Sequence, residues 1–98
     1  MIHSMDMARH GYFSHTSLDG TSFATRVWPY WNGNRIGENI AASSRQRTYE
    51  QVVQMWLDSP PHCELIMDPN FTHAGVSIGV NEDNGWTYHY FWTLNVGG

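Results

Sequence analysis

The sequence predicts an α+β fold, in which helices come first and a β-hairpin comes last. Residues Thr48 to His62 carry apolar side chains at helical spacing, which indicates one buried helix face. Residues Thr72 to Asn81 and Trp86 to Val96 are strand candidates, separated by the turn signal Glu82 to Gly85. We therefore expect helices packed against a small antiparallel sheet.

Length and charge limit the class of protein. A chain of 98 residues is expected to form one domain, covering residues 1–98. The net charge of -4 argues against a nucleic-acid partner, because binding phosphates requires a basic face. The sequence contains no apolar run that approaches the roughly 18 residues of a membrane span. Cys63 is the single cysteine, so we expect no internal disulfide and a packing role for its thiol.

The first quarter of the chain is predicted to contain a short helix, a loop and a segment that could form one helical turn. Ile2 to His10 has an apolar stripe at spacing three and ends at Gly11, which favours a helix. This stretch lacks the apolar segment of a secretory signal, so it is not expected to be an uncleaved one. Tyr12 to Gly20 is rich in turn formers and carries His15. Thr21 to Val27 is long enough for one helical turn.

An aromatic loop follows, from Trp28 to Asn34. Its large rings, Trp28, Tyr30 and Trp31, are candidates for the wall of a binding site for a glycan, peptide or lipid. Core packing is the alternative, since large rings strongly favour burial. Glu38 comes next, in the segment Gly37 to Ala42.

The main helix is predicted to begin after Thr48 and to end at two prolines. Thr48 and Gln51 form a capping-box pattern at its start. Pro60 and Pro61 are expected to stop the helix, because proline lacks the amide donor. His62 would then lie on a rigid exit turn.

The two strand candidates differ in their faces. The first strand has one apolar face and one face of very small residues, which suggests that another element packs closely on the small face. The small residues are Gly75, Ser77 and Gly79. The segment from Gly75 to Gly79 also matches G-x-S-x-G, but its serine lies within a strand rather than at a strand-to-helix turn, so we exclude a serine hydrolase.

Three dispersed residues could carry chemistry: His15, Glu38 and His62. Two imidazoles and a carboxylate can ligate zinc with a water molecule, or exchange a proton with a substrate. They can also form a hydrogen-bonded network with a purely structural role. Their spacing alone does not distinguish these alternatives.

Five motifs resemble the bacterial branch of the CAP superfamily, the group of cysteine-rich secretory proteins, antigen 5 and pathogenesis-related class 1 proteins. They cover nearly the whole chain in the family's order. They are H-S-x-D-M-A from His3, Y-F-S-H-T-S-L-D-G from Tyr12 (followed by Arg26), G-E-N-I-A from Gly37, V-V-x-x-W-L-x-S-P-x-H from Val52, and P-N-F-T-x-x-G-V from Pro69.

The resemblance implies an α-β-α sandwich with a central cleft that binds zinc or another divalent cation in several members. It places the family's two cleft histidines at His15 and His62 and its first acidic residue at Glu38. The second acidic residue is either shortened to Asp58 or replaced by Ser59, which departs from the family pattern. The resemblance also implies a secreted or cell-envelope location.

A second departure concerns the start of the chain, which lies inside a region that a longer helix precedes in family members. On this basis we expect a truncated domain with an uncovered apolar patch. The expected outcome is a homodimer, a domain swap or low stability.

Three functional hypotheses follow. In the first, the domain binds an extracellular or cell-envelope ligand, with a cation held by His15 and His62 and Glu38 orienting a ligand histidine. In the second, it is a peptidase-like hydrolase in which Glu38 or a metal-bound water acts as the base. In the third, the three residues form only a structural network. Binding is preferred to catalysis, because the second carboxylate is in doubt.

Overall fold

Over the part of the chain that the structure describes, the fold is an α-β-α sandwich, with helices packed on both faces of a three-stranded sheet. A computed structural model describes residues 2–82 and 88–98. The elements of this part of the chain are, in order, α1 (His3–His10), α2 (Phe23–Val27), a 3₁₀ turn (Trp28–Tyr30), β1 (Ile36–Ser43), α3 (Tyr49–Leu57), α4 (Pro60–Met67), β2 (His73–Val80) and β3 (Tyr90–Gly97). The predicted α+β class and sandwich architecture are confirmed.

The sheet is antiparallel, with strand order β1-β3-β2. The pairing of β2 with β3 runs from His73↔Gly97 to Val80↔Tyr90, as expected for a hairpin. Residues 83–87, which include most of the predicted turn and Trp86, lie outside the described residues. β1 was not among the predicted strands, because glycine, glutamate and asparagine near its start have low strand propensity. Pairing along the whole length of β3 overrides that propensity.

The two faces of β3 contact different helices. Phe91 faces α1 and belongs to a buried cluster with Met7, whereas Trp92 faces α3 and contacts a cluster that contains Trp56. On β2, the predicted close approach to the small face is confirmed by α1. A Cβ on Gly79 would overlap the carbonyl group of Ser4.

Two helix ends are formed as the sequence predicts. Gly11 ends α1 in the left-handed conformation, with φ 66°, and its amide donates to the carbonyl group of Met7. At the start of α3, the Gln51 amide donates to Thr48 Oγ1 at 3.1 Å, and the Thr48 amide donates to Gln51 Oε1 at 2.8 Å. This is the predicted capping box.

Pro60 and Pro61 do more than end a helix. They occupy the first turn of α4, where the missing amide hydrogen of proline costs nothing and its fixed φ suits a helix. The predicted exit turn is therefore wrong, since His62 lies within the first turn of α4. Among the described residues, no helix combines the length and the apolar character that crossing a membrane requires.

Candidate functional site

The candidate site is built around the carboxylate of Glu38, whose side chain is 0% exposed. Strand alternation places Glu38 on the α1 side of the sheet, the same side as Ile40. Arg26 donates to both carboxylate oxygens, from Nη1 to Oε2 at 3.0 Å and from Nη2 to Oε1 at 3.2 Å. Asn95 Nδ2 donates to Oε2 at 2.9 Å, from the β3 residue paired with Glu38. His15 Nδ1 lies 2.9 Å from Oε1.

These contacts keep Glu38 ionised. Burial by itself raises the pKa of this carboxyl group, but the hydrogen bonds from His15, Arg26 and Asn95 and the charge of Arg26 outweigh burial and lower the pKa to about 2. A carboxylate with this pKa and these hydrogen bonds is a weak proton acceptor at neutral pH. The geometry therefore suits Glu38 to orient its neighbours.

His15 is the neighbour that Glu38 orients toward solvent. Because the carboxylate is ionised, His15 Nδ1 is the donor, and the neutral form of the ring has a lone pair on Nε2. The side chain is 46% exposed, and its ring lies 6.2 Å from the ring of Phe23, measured between centroids. His15 can therefore accept a hydrogen bond from a ligand or donate its lone pair to a cation.

Arg26 and His3 hold the loop that carries His15. Arg26 Nη2 donates to the carbonyl oxygen of His15 at 2.8 Å, and α2 is itself capped by the Ser22 side chain. His3 Nε2 lies 2.6 Å from the carbonyl oxygen of Ser14, so it is the donor. Burial lowers the pKa of His3, and the charge of Arg26 lowers it further, against an opposing effect of the Ser14 hydrogen bond.

Arg26 and Asn95 were absent from the predicted site residues. A buried carboxylate requires a cationic or hydrogen-bonding partner, and the chain has only five lysine and arginine residues. This requirement is the signal that could have identified Arg26. Asn95 continues the face of β3 that holds Phe91 and Thr93, and a polar residue on such a face needs a partner.

The other predicted cleft residues lie elsewhere. α4 packs on the face of β1 opposite to Glu38. Asn39 points to that face and donates from Nδ2 to the carbonyl oxygen of His62 at 3.2 Å. His62 Nδ1 lies 3.0 Å from Ser59 Oγ. Asp58 is exposed and accepts from Gln54 Nε2 at 2.8 Å. Within residues 2–82 and 88–98, no hydrogen bond joins the His62 side chain to His15 or Glu38.

The predicted aromatic wall is split. Tyr30 and Trp31 line an open groove of about 870 Å³, whereas Trp28 is exposed and not among the lining residues. The groove passes over Gly75 and reaches Arg26, but its lining does not include His15, Glu38 or His62. Trp31 also packs on Gly97 and on the His73 ring, with centroids 4.9 Å apart. Tyr30 is 89% exposed, so it contributes little to the core.

The donor groups do not form a metal centre of the usual kind. Zinc centres in proteins have three or four protein ligands. Among the described residues, no three histidine, cysteine, aspartate or glutamate side chains are grouped so that they could hold a metal ion. The residues around His15 therefore do not fit a three-ligand zinc site.

Comparison with known proteins identifies the family. The model of the cysteine-rich secretory protein family, CAP, matches residues 1–96. Two proteins of Bacillus subtilis are similar to the chain. The uncharacterized protein YkwD is 38% identical over 89% of this chain and 33% of its own length. The uncharacterized membrane protein YlbC is 32% identical over 78% of this chain and 22% of its own length. The chain thus spans a third or less of these curated relatives.

A solved structure shares the fold. An outer surface protein from Borrelia burgdorferi superposes with a TM-score of 0.75, at 23% identity, over 97% of this chain and 66% of that one. The family match covers nearly the whole chain and agrees with the observed sandwich. The chain belongs to the cysteine-rich secretory protein (CAP) family.

Proposed function

We propose that this CAP domain is an extracellular or cell-envelope binding domain, in which His15, positioned by Glu38, contacts the ligand. The observation that carries this proposal is the pair itself: a buried carboxylate fixes one nitrogen of a half-exposed imidazole and leaves the other for a ligand. Membership of the family supports the location, as does the name of the structural neighbour, an outer surface protein.

Binding is a better explanation than hydrolysis. In the form of the hydrolase in which Glu38 is the base, the pKa of about 2 makes Glu38 a poor proton acceptor at neutral pH. The four hydrogen-bond contacts of the carboxylate also leave little room for a substrate water. A purely structural network would explain the Arg26 contacts but gives no reason for a half-exposed His15.

Co-sedimentation with insoluble envelope material tests the proposal. The probes are purified Bacillus subtilis cell walls, for glycan and peptide ligands, and phosphatidylglycerol vesicles, for lipid. The domain should bind one of them, and His15→Ala should weaken the apparent affinity at least about tenfold, the effect of losing roughly 1.4 kcal/mol. His10→Ala, which changes an exposed histidine on α1, is the matched control and should bind like the parent.

Two results would contradict the proposal. One is equal binding by the parent and by a His15→Ala variant whose circular dichroism shows it to be folded. The other is turnover of a cell-wall substrate that Glu38→Gln abolishes without loss of fold, which would favour the hydrolase.

The divalent cation, zinc or another, is a separate prediction. It is tested by calorimetric titration of the chelator-stripped chain with zinc, compared with a His15→Ala, His62→Ala double variant. One equivalent of binding that the double variant loses would support a cation held by the two histidines. No binding by the parent would remove the cation and leave the proposed role of His15 unchanged.

A further inference from the structure

Within residues 2–82 and 88–98, the backbone groups along the outer edge of β2 have no hydrogen-bond partner in another strand. Next to the end of β3, Gly98 and Arg35 exchange hydrogen bonds at 3.0 and 2.9 Å, which indicates that the even-numbered residues of β3 bond to β1. Before the start of β3, the Asn81 amide donates to the carbonyl group of the odd-numbered His89 at 2.6 Å, which indicates that the odd-numbered residues face β2. Because antiparallel pairs alternate, the odd-numbered residues of β2 bond to β3 and the even-numbered ones point away from it. These four outward residues are Ala74, Val76, Ile78 and Val80.

This edge lacks the usual protection against pairing. Exposed edge strands commonly carry lysine, another charge or proline. Residues 73–81 contain no aspartate, glutamate, lysine, arginine or proline, and Val76 and Val80 are 41% and 51% exposed. On the opposite edge, the outward carbonyl group of Ile40 on β1 accepts from Trp56 Nε1 at 3.0 Å.

Helix α1 covers only half of β2. It crosses the strand at Gly79, where the Ser4 carbonyl group touches the strand, whereas a Cβ on Gly75 would meet no atom within 4 Å. The uncovered half is the floor of the 870 Å³ groove, with Ile2 on its border. Met5, which is exposed, borders a smaller cavity of about 440 Å³ beside the covered half.

We infer that the free edge of β2 pairs with β2 of a second copy of this chain, antiparallel about a twofold axis at Ser77. This register places Gly79 of one copy opposite Gly75 of the other, so each α1 meets the uncovered half of its partner strand. It places Val76 opposite Ile78 and Ala74 opposite Val80, so each outward residue of one copy has an outward residue of the other copy as its partner. The inference does not rest on the proposed function.

The register also has favourable energetics. Four outward residues in each copy, each with one N–H and one C=O group, allow about eight hydrogen bonds across the twofold axis. No like charges face each other, although the whole chain has a net charge of -4. An eight-residue edge is only about 27 Å long. The contact is therefore at the low end of specific interfaces, about 1,000 Å² in total, and the dimer should form in the micromolar range.

Sedimentation velocity of the 98-residue chain tests the inference. Between about 10 and about 500 µM, the weight-average mass should rise from one copy toward two. Val76→Lys and Val76→Pro should each stay monomeric across this range. The proline variant removes only an outward N–H group, so the ladder with β3 is kept. Met55→Lys also replaces an exposed apolar residue with lysine, on α3 and away from the β2 edge, and should behave like the parent.

The register has its own test. In a Cys63→Ser background, Ser77→Cys should form a disulfide-linked dimer on oxidation, because Ser77 is opposite its own copy in a non-hydrogen-bonded pair. Gly75→Cys is opposite Gly79 and should form far less. The inference is overturned by a parent that is monomeric at the highest concentration, by folded Val76 variants that still associate, or by equal cross-linking of the two cysteine variants.

Discussion

Arg26 donates two hydrogen bonds to the carboxylate of Glu38, at 3.0 and 3.2 Å, and its second nitrogen also donates to the backbone of His15. One guanidinium group thus joins α2, β1 and the loop that carries the candidate ligand contact. The carboxylate is fully buried and the arginine is mostly buried, so each charge depends on the other for compensation.

Glu38→Gln should therefore destabilise the fold. The substitution leaves Arg26 buried without its counter-charge, and we expect the free energy of unfolding to fall by about 3 kcal/mol. Urea denaturation followed by tryptophan fluorescence measures the change. Glu64→Gln, an exposed position on α4, is the matched control and should change the free energy by less than about 0.5 kcal/mol. Equal stability of the two variants would show that the Arg26–Glu38 pair contributes nothing net.

Acid should weaken the same interaction within a defined window. The folded-state pKa of Glu38 is lowered from 4.5 to about 2, so the unfolded chain takes up a proton at a higher pH than the folded chain. The stabilisation is fully present above the ordinary pKa of 4.5 and is lost as the pH falls from there toward 2. Urea titrations across this window should show a steeper loss for the parent than for Glu38→Gln. Parallel pH profiles would contradict the lowered pKa.

His3 should make stability depend on pH closer to neutrality. Burial lowers its pKa in the folded state below 6.5, so stability is present above 6.5 and declines as the pH falls through the folded-state pKa. Calorimetry should show that the melting temperature falls less between about pH 7 and about pH 5 for His3→Gln than for the parent. The glutamine amide keeps a donor for the carbonyl group of Ser14. His10→Gln should keep the decrease of the parent. The prediction is wrong if both variants match the parent.

Two glycines of β2 provide a matched pair of substitutions. Gly79→Ala should cost about 2 kcal/mol, because the added methyl group overlaps the α1 backbone at Ser4. Gly75→Ala adds the same group where no atom lies within 4 Å, and should change stability by less than about 0.5 kcal/mol. Chemical denaturation at low protein concentration compares them. A loss of similar size in both variants would mean that α1 does not pack closely on Gly79.

The sequence predicted the elements whose own residues determine them. The capping box of Thr48 and Gln51, the glycine at the end of α1 and the strand pattern of β2 are local signals, and the structure contains the capping box, a left-handed Gly11 and the strand. It did not predict β1, because the strand depends on pairing with β3, whose paired residues are 47 to 61 positions away along the chain. The predicted exit turn after Pro60 was wrong, because proline is also favoured in the first turn of a helix and here begins α4.

The candidate site was predicted only in part for the same reason. His15 and Glu38 meet as expected, but the side chains that hold them come from α2 and from the end of β3, which no local pattern links to the site. His62 was grouped with them by its residue type and by the resemblance to the CAP family. In the structure, α4, which carries His62, packs on the face of β1 opposite to Glu38. Strand alternation predicts that His62 and Glu38 lie on opposite faces only once β1 is recognised as a strand.

The strand order places a constraint on when the molecule can fold. Among the described residues, β1 and β2 each pair only with β3, which follows both of them in the sequence. While a ribosome is still adding residues 90–97, the earlier strands have no partner, and both layers of helices lack the Phe91 and Trp92 side chains against which they pack. The sheet therefore forms only after this segment has been made, and until then the chain remains open enough to be moved or captured by other proteins.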